Sequence, residues 1–168
     1  VRITGDCPLI DPALVDSVIA RFLDSGVDYG SNVSPPTYPD GLDTEVFSYQ
    51  ALESAWNQAK MPQQREHVTP FIRESGKFNQ VNVSNAKDHS NERWTVDELE
   101  DFEVVRKVFE HFHPRRDFGW LEMLTVRNKH PEWFMANQHL IRNEGAQLGT
   151  GQKLWKRAKR VIPGGNML

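Results

Sequence analysis

Over residues 1–112 short β-prone runs take turns with helical stretches, and that order is the strongest constraint the chain carries. Strands that alternate with helices pack as a layered α/β sheet rather than as a helical bundle or a β-sandwich. The first run, Val1-Arg2-Ile3-Thr4, is closed by Gly5 and Pro8. Asp11-Pro12 then starts a helix, because an Asp N-cap accepts a backbone N–H and Pro at the first helical position gives up a bond that has no partner there. Leu14, Val15, Val18, Ile19, Phe22 and Leu23 recur at helical spacing and give one apolar face, with Gly26 as the stop.

Val27 to Asn32 reads as the next strand, and residues 34–43 hold three prolines and a glycine, which makes them a loop. Thr44-Glu45-Val46-Phe47 is extended again, and Ser48 caps a helix predicted to bury Leu52, Trp56 and Ala59. Pro62 leads into a third helix over Arg65 to Glu74, kinked at Pro70. "FNQVNV", residues 78–83, alternates as a half-buried strand does, and "RWTV", residues 93–96, is a further strand. Asp97 with Glu100 predicts a capping box for a helix over Glu98 to Phe112 that buries Phe102, Val105, Val108 and Phe109. Residues 114–145 form an aromatic-rich helical arm broken at Pro131; a linker and a basic helix, "QKLWKRAKRVIPGG", follow.

Composition excludes some functions. One cysteine permits no internal disulfide and suits a cytoplasmic protein. No apolar run approaches the ~18 residues of a membrane span. A formal charge of −3 gives no overall drive towards nucleic acid. In the tail, Lys153, Lys156, Arg157, Lys159 and Arg160 alternate with Leu154, Trp155, Ala158, Val161 and Ile162, the pattern of a helix that packs one face and solvates the other.

Asp6 stands where a strand ends, the edge at which open α/β sheets bind ligands. A carboxylate there either holds a divalent cation that carries phosphates or bonds the backbone of the turn before Pro8. Asp97, at the end of "RWTV", is either a second such acid or a helix N-cap. Two carboxylates converging on one point repel unless a cation neutralises them. Arg65-Glu66-His67 either grips an anionic sugar or phosphate or forms a solvated face. Cys7, beside Asp6, is disfavoured as a thiolate nucleophile.

The motifs "RITGDCPLIDPALVD", "YPDGLDTEVFSYQALE", "REHVTPFIRE", "RWTVDELEDFEVV" and "LIRNEG" occur in that order. Together they resemble the C-terminal two thirds of the spore-coat polysaccharide biosynthesis protein F family, which is similar to the cytidylyltransferases that activate ketodeoxyoctonate and sialic acid. The resemblance implies a Rossmann-like nucleotide-diphosphosugar transferase sheet with a C-terminal helical arm. It implies magnesium held by Asp6 and Asp97, and a sugar side lined by Asn32, Glu45, Arg65, Glu66 and His67. The implied substrates are a nucleoside triphosphate, CTP, and a sugar, with a homodimer as the implied assembly. The family's N-terminal strand and Gly-Ser-Arg-Leu-Pro-Gly-Lys-like loop do not occur in the sequence, so the expectation is a fragment that begins mid-domain and is inactive alone. "LWKRAKRVIPGGNML" resembles the opening of glutamate-1-semialdehyde aminotransferase-like enzymes, whose pyridoxal phosphate would belong to a domain further downstream. The expected organisation is therefore a nucleotidyltransferase part at 1–113, its arm at 114–145, a linker at 146–151 and an aminotransferase-like start at 152–168. Two rivals remain at this point: a glycosyltransferase of related fold that uses a nucleotide-sugar donor, and a non-catalytic docking domain that presents Trp120, Trp133 and Phe134.

Overall fold

Asp11 acts as its place before Pro12 predicts. In the computed structural model, which describes residues 1–140 and 142, its carboxylate accepts the Leu14 N–H at 3.0 Å and opens helix α1, Pro12–Ser25. Gly26 ends the helix in the left-handed region at φ 59°. Leu14 and Val18 are buried while Leu23 is exposed, so the apolar stripe in use is narrower than the spacing predicts.

Helix α1 lies across a three-stranded sheet of β1 (Tyr29–Ser31), β2 (Glu45–Phe47) and β3 (Gln80–Asn82), in the order β2-β1-β3. Central β1 runs antiparallel to β2 and parallel to β3, with Gly30 opposite Val46 on one side and Val81 on the other. A Cβ on Gly30 would come within 3.1 Å of the Phe22 Cβ, so α1 rests on bare backbone at the middle of the sheet. Two predicted strands are absent from it. Val1–Thr4 contributes only a bridge from Arg2 to Glu45, because the Thr4 carbonyl already accepts the Cys7 N–H at 3.2 Å and turns the chain away. "RWTV" divides its hydrogen bonds between two segments, Trp94 N–H to the Asp40 carbonyl at 2.7 Å and Val96 N–H to the Asp6 carbonyl at 2.8 Å, and so joins no ladder.

The Ser48 hydroxyl caps α2 (Tyr49–Gln58) by accepting the Ala51 N–H. Its buried residues are Ala51 and Ala55, packed with Tyr29, Phe71 and Ile72. Trp56 is 69% exposed, contrary to prediction. Two alanines let the helix approach its neighbours closely, which a tryptophan on that face would prevent. The predicted third helix is two short ones, α3 (Pro62–Glu66) and α4 (Pro70–Glu74). They are separated by Val68 at φ 68°, and Pro70 has no N–H to continue the ladder.

Helix α5 (Leu99–Phe112) buries Asp101, Val104, Val105 and Val108, while Phe102 stays half-exposed and Phe109 half-buried. Its amino end is capped from Asp101, whose Oδ2 accepts the N–H groups of Asp97 at 3.1 Å and Glu98 at 3.0 Å. The predicted Asp97–Glu100 box is thus replaced, because the Asp97 carboxylate is engaged by Arg93. Helices α6 (Trp120–Lys129) and α7 (Pro131–Phe134) complete the order. Met123, Val126 and Phe134 share one core with Leu14, Trp94, Val104 and Val108, and Tyr38 meets Trp120 edge to face at 5.3 Å. The second oxygen of Asp11 accepts the Trp120 N–H at 2.8 Å, so one carboxylate caps both α1 and α6. No helix among the described residues is long and apolar enough to cross a membrane. The linker expected at 146–151 and the basic helix expected in 152–168 lie outside the described residues.

Candidate active site

The turn that carries Asp6 is fastened to the segment that ends in Asp97. The Asp6 carbonyl accepts the Val96 N–H at 2.8 Å and the Thr95 hydroxyl at 3.0 Å. The two acids therefore leave adjacent backbones. Asp6 is half-buried, and 55% of the Asp97 side chain is exposed. Burial pushes the neighbouring Cys7 thiol up to about 12, and the Asp6 and Asp43 carboxylates add to the shift, so Cys7 is no nucleophile near neutral pH.

Asp97 is held from one side by Arg93, whose Nη2 donates to it at 2.9 Å. The same guanidinium forks onto Asp101 with two bonds of 2.8 Å and reaches Asp40 at 3.3 Å. Arg142 bonds Asp43 and lies 3.6 Å from Asp40. Gly41 allows this convergence: it has φ 104°, and a Cβ there would lie 2.6 Å from the Thr95 nitrogen. Burial raises Asp40 to about 6, against the opposing pull of Arg142 and Arg93. It raises Asp43 too, although Arg142 counters it. Burial favours the neutral form of Asp101 as well, but bonds from Arg93, Asn137 and the N–H groups of Asp97 and Glu98 together hold it below its ordinary value.

Magnesium prefers a few hard oxygens and keeps waters or phosphates on its other positions. Asp6, half-buried, and Asp97, exposed, offer carboxylate oxygens of that kind from neighbouring backbones. Among the described residues no three His, Cys, Asp or Glu side chains gather to hold a metal unaided, so phosphate or water would complete the shell.

The expected sugar-side residues fall into two groups. Asn32, 1% exposed, donates to the Leu42 carbonyl at 2.8 Å and accepts the Thr44 N–H at 2.9 Å. Glu45, also buried, accepts the Tyr29 hydroxyl at 2.5 Å and bonds Arg2, with Arg73 3.9 Å away. These two brace the ends of β1 and β2. Arg65 instead lies over the exposed Trp56 ring, 4.2 Å from its centroid, and donates to the Trp56 carbonyl at 2.6 Å. Glu66 is exposed and His67 half-buried beside it. Among the described residues, no hydrogen bond or ion pair joins this trio to Asp6 or Asp97. A cavity of about 710 Å³ opens next to Asp6, lined mainly by apolar groups such as Val96, Phe102 and Phe109, with His113 and Glu110 among the polar ones. Reading the sequence missed Arg93, Asp40, Asp43 and Asp101. For Arg93 and Asp101 the signal was present in "RWTVDELED", where acids crowd around one arginine.

The fold is that of a nucleotide-diphosphosugar transferase-like α/β domain. It matches the structure of a cytidylyltransferase from Leptospira borgpetersenii with a TM-score of 0.74 and 30% identity, over 79% of this chain and 57% of that one. Residues 1–126 match the family model described as cytidylyltransferase, and the chain belongs to that family. It is 31% identical over 136 residues to the spore coat polysaccharide biosynthesis protein SpsF of Bacillus subtilis, covering 79% of this chain and 55% of the relative. It is 38% identical over 115 residues to an uncharacterized protein of Methanocaldococcus jannaschii, covering 67% of this chain and 46% of the relative. The chain spans about half the length of the curated relatives it matches.

Proposed function

We propose that these residues form the acid-bearing part of a sugar nucleotidyltransferase that transfers CMP from CTP to a sugar, in the synthesis of a surface polysaccharide or a nonulosonate-like sugar. The sugar hydroxyl oxygen forms a bond to the α-phosphorus, the bond from that phosphorus to the bridging oxygen breaks, pyrophosphate leaves and the hydroxyl proton is released. The observation that carries the reading is the pair of hydrogen bonds from Val96 and Thr95 to the Asp6 carbonyl, which keeps Asp6 and Asp97 on neighbouring backbones. Magnesium, when bound, would neutralise phosphate charge and align the displacement. Asp6 and Asp97 would hold it. Asn32 and Glu45 would act from beneath, by fixing the backbone around Thr44, while Arg65, Glu66 and His67 would meet the sugar or its acid group. Catalysis of this kind rests on positioning and electrostatics and needs no covalent intermediate. The proposal extends to a homodimer and, on the resemblance of residues 152–168, to a fused aminotransferase-like domain with its own pyridoxal phosphate.

The test is pyrophosphate release by the intact protein with magnesium, CTP and a panel of sugar acids. Release is expected with CTP, and Asp6→Asn and Asp97→Asn should each lower kcat by about 100-fold or more with little change in Tm. Release of a nucleoside diphosphate from a nucleotide sugar, without pyrophosphate, would instead identify a glycosyltransferase. Full turnover by Asp97→Asn, with stability alone reduced, would make Asp97 a structural residue.

A further inference from the structure

We infer that Arg93 is the positioning residue of this site, a guanidinium locked into the core that sets the direction of the Asp97 carboxylate. The inference rests on reading Asp6 and Asp97 as the cation ligands. Asp97 is exposed on its own account, and a free carboxylate at the head of a helix would sample several rotamers. Arg93 removes that freedom because it is itself unable to move. Its side chain is 9% exposed and grips the fully buried Asp101 with both ends of its fork, at 2.8 Å each. Asn137 in turn donates to Asp101 at 2.9 Å and to the Arg93 carbonyl at 3.0 Å, so the anchor has an anchor of its own. What remains of the guanidinium points Nη2 at Asp97, at 2.9 Å, and Nη1 at Asp40, at 3.3 Å.

The choice of arginine follows from this geometry. A planar fork serves three carboxylates along fixed directions, whereas a lysine ammonium is a point charge on a flexible stem and cannot keep Asp97 and Asp101 in a fixed mutual orientation. The same positive charge also lets Asp40, Asp97 and Asp101 stay close together. With Arg93 shortened, Asp97 would face two like charges and turn towards solvent.

The experiment compares Arg93→Lys, Asp97→Asn and the double variant in the intact protein. Binding of Mn2+ is read by electron paramagnetic resonance in the presence of a non-hydrolysable CTP analogue, beside the magnesium concentration that half-saturates pyrophosphate release. Groups that orient metal ligands typically contribute roughly 10- to 100-fold in metal affinity. Arg93→Lys should weaken Mn2+ binding by that factor and leave the sugar KM unchanged. The double variant should bind no more weakly than Asp97→Asn alone, because Arg93 acts through Asp97. Asp101→Asn keeps the size of the anchor and weakens its grip, so it should reproduce the loss of Mn2+ binding in part even if Arg93→Lys fails to fold. A lowered Tm with wild-type Mn2+ affinity, or losses that add in the double variant, would overturn the inference while leaving the function intact. Wild-type Mn2+ affinity in Asp97→Asn would show instead that the metal reading beneath it is wrong.

Discussion

Asn32→Ala separates a bracing residue from a substrate contact. The Asn32 side chain is 1% exposed, and the two groups it serves belong to Leu42 and Thr44, both fully buried. Truncation leaves the Leu42 carbonyl and the Thr44 N–H facing a small void, each having lost a bond under 3 Å. A buried polar group deprived of its partner costs about 1–3 kcal/mol. The sum is about 2–6 kcal/mol, and relaxation of the loop over 33–43 places the expected loss near the lower end, at about 3 kcal/mol. Urea unfolding at constant slope should then show a midpoint lowered by at least about 1 M. Asn32→Asp should be destabilised as well, because a carboxylate oxygen would oppose the Leu42 carbonyl, and increasingly so as pH rises above the ordinary carboxylate range. An unchanged midpoint together with a raised sugar KM would refute the reasoning and make Asn32 a direct ligand.

Asp40 carries a pH signature. Its folded value of about 6 stands above an ordinary 3.8, so the folded state keeps the proton over that interval and stability from this group is lost as pH rises through about 6. Wild type should therefore lose stability relative to Asp40→Asn between about pH 4 and pH 7; a constant difference across that window in thermal or urea unfolding would exclude the burial described. Trp56→Ala should cost no more than about 1 kcal/mol, the worth of an exposed cation–π contact with Arg65. A loss of about 3 kcal/mol or more in the same assay would restore Trp56 to the core.

Both ends of helix α1 were readable, since Asp11, Pro12 and Gly26 act on bonds within a turn of themselves. Which face of α2 is buried was not. Leu52 and Trp56 are more hydrophobic than Ala51 and Ala55, but how closely the helix approaches Tyr29 and Ile72 decides, and that is a property of the packed pair. The strand at 93–96 failed for a similar reason: its residues are β-prone, yet their partners lie on two separate segments and no ladder forms. At the site, Asp6 and Asp97 came forward as candidates at the ends of two β-prone runs, although neither run forms a strand of the sheet. Their adjacency was hidden, because it depends on a hydrogen bond between residues 89 positions apart. The acids at Asp40 and Asp43 were hidden by their setting, a proline-rich loop whose local chemistry says only that the chain turns.

The shared cap at Asp11 bears on the order in which the chain can become itself. Its two oxygens satisfy one amide on Leu14, a single turn away, and one on Trp120, 109 positions along the chain from Asp11. A ribosome delivers the first of these long before the second. Until the second arrives, one oxygen of the carboxylate that caps α1 lacks its partner. Closing the loop between the two is an entropic toll met late, at the step when α6 reaches α1. Docking α6 therefore joins the opening turn of the described chain to its last long helix through a single carboxylate.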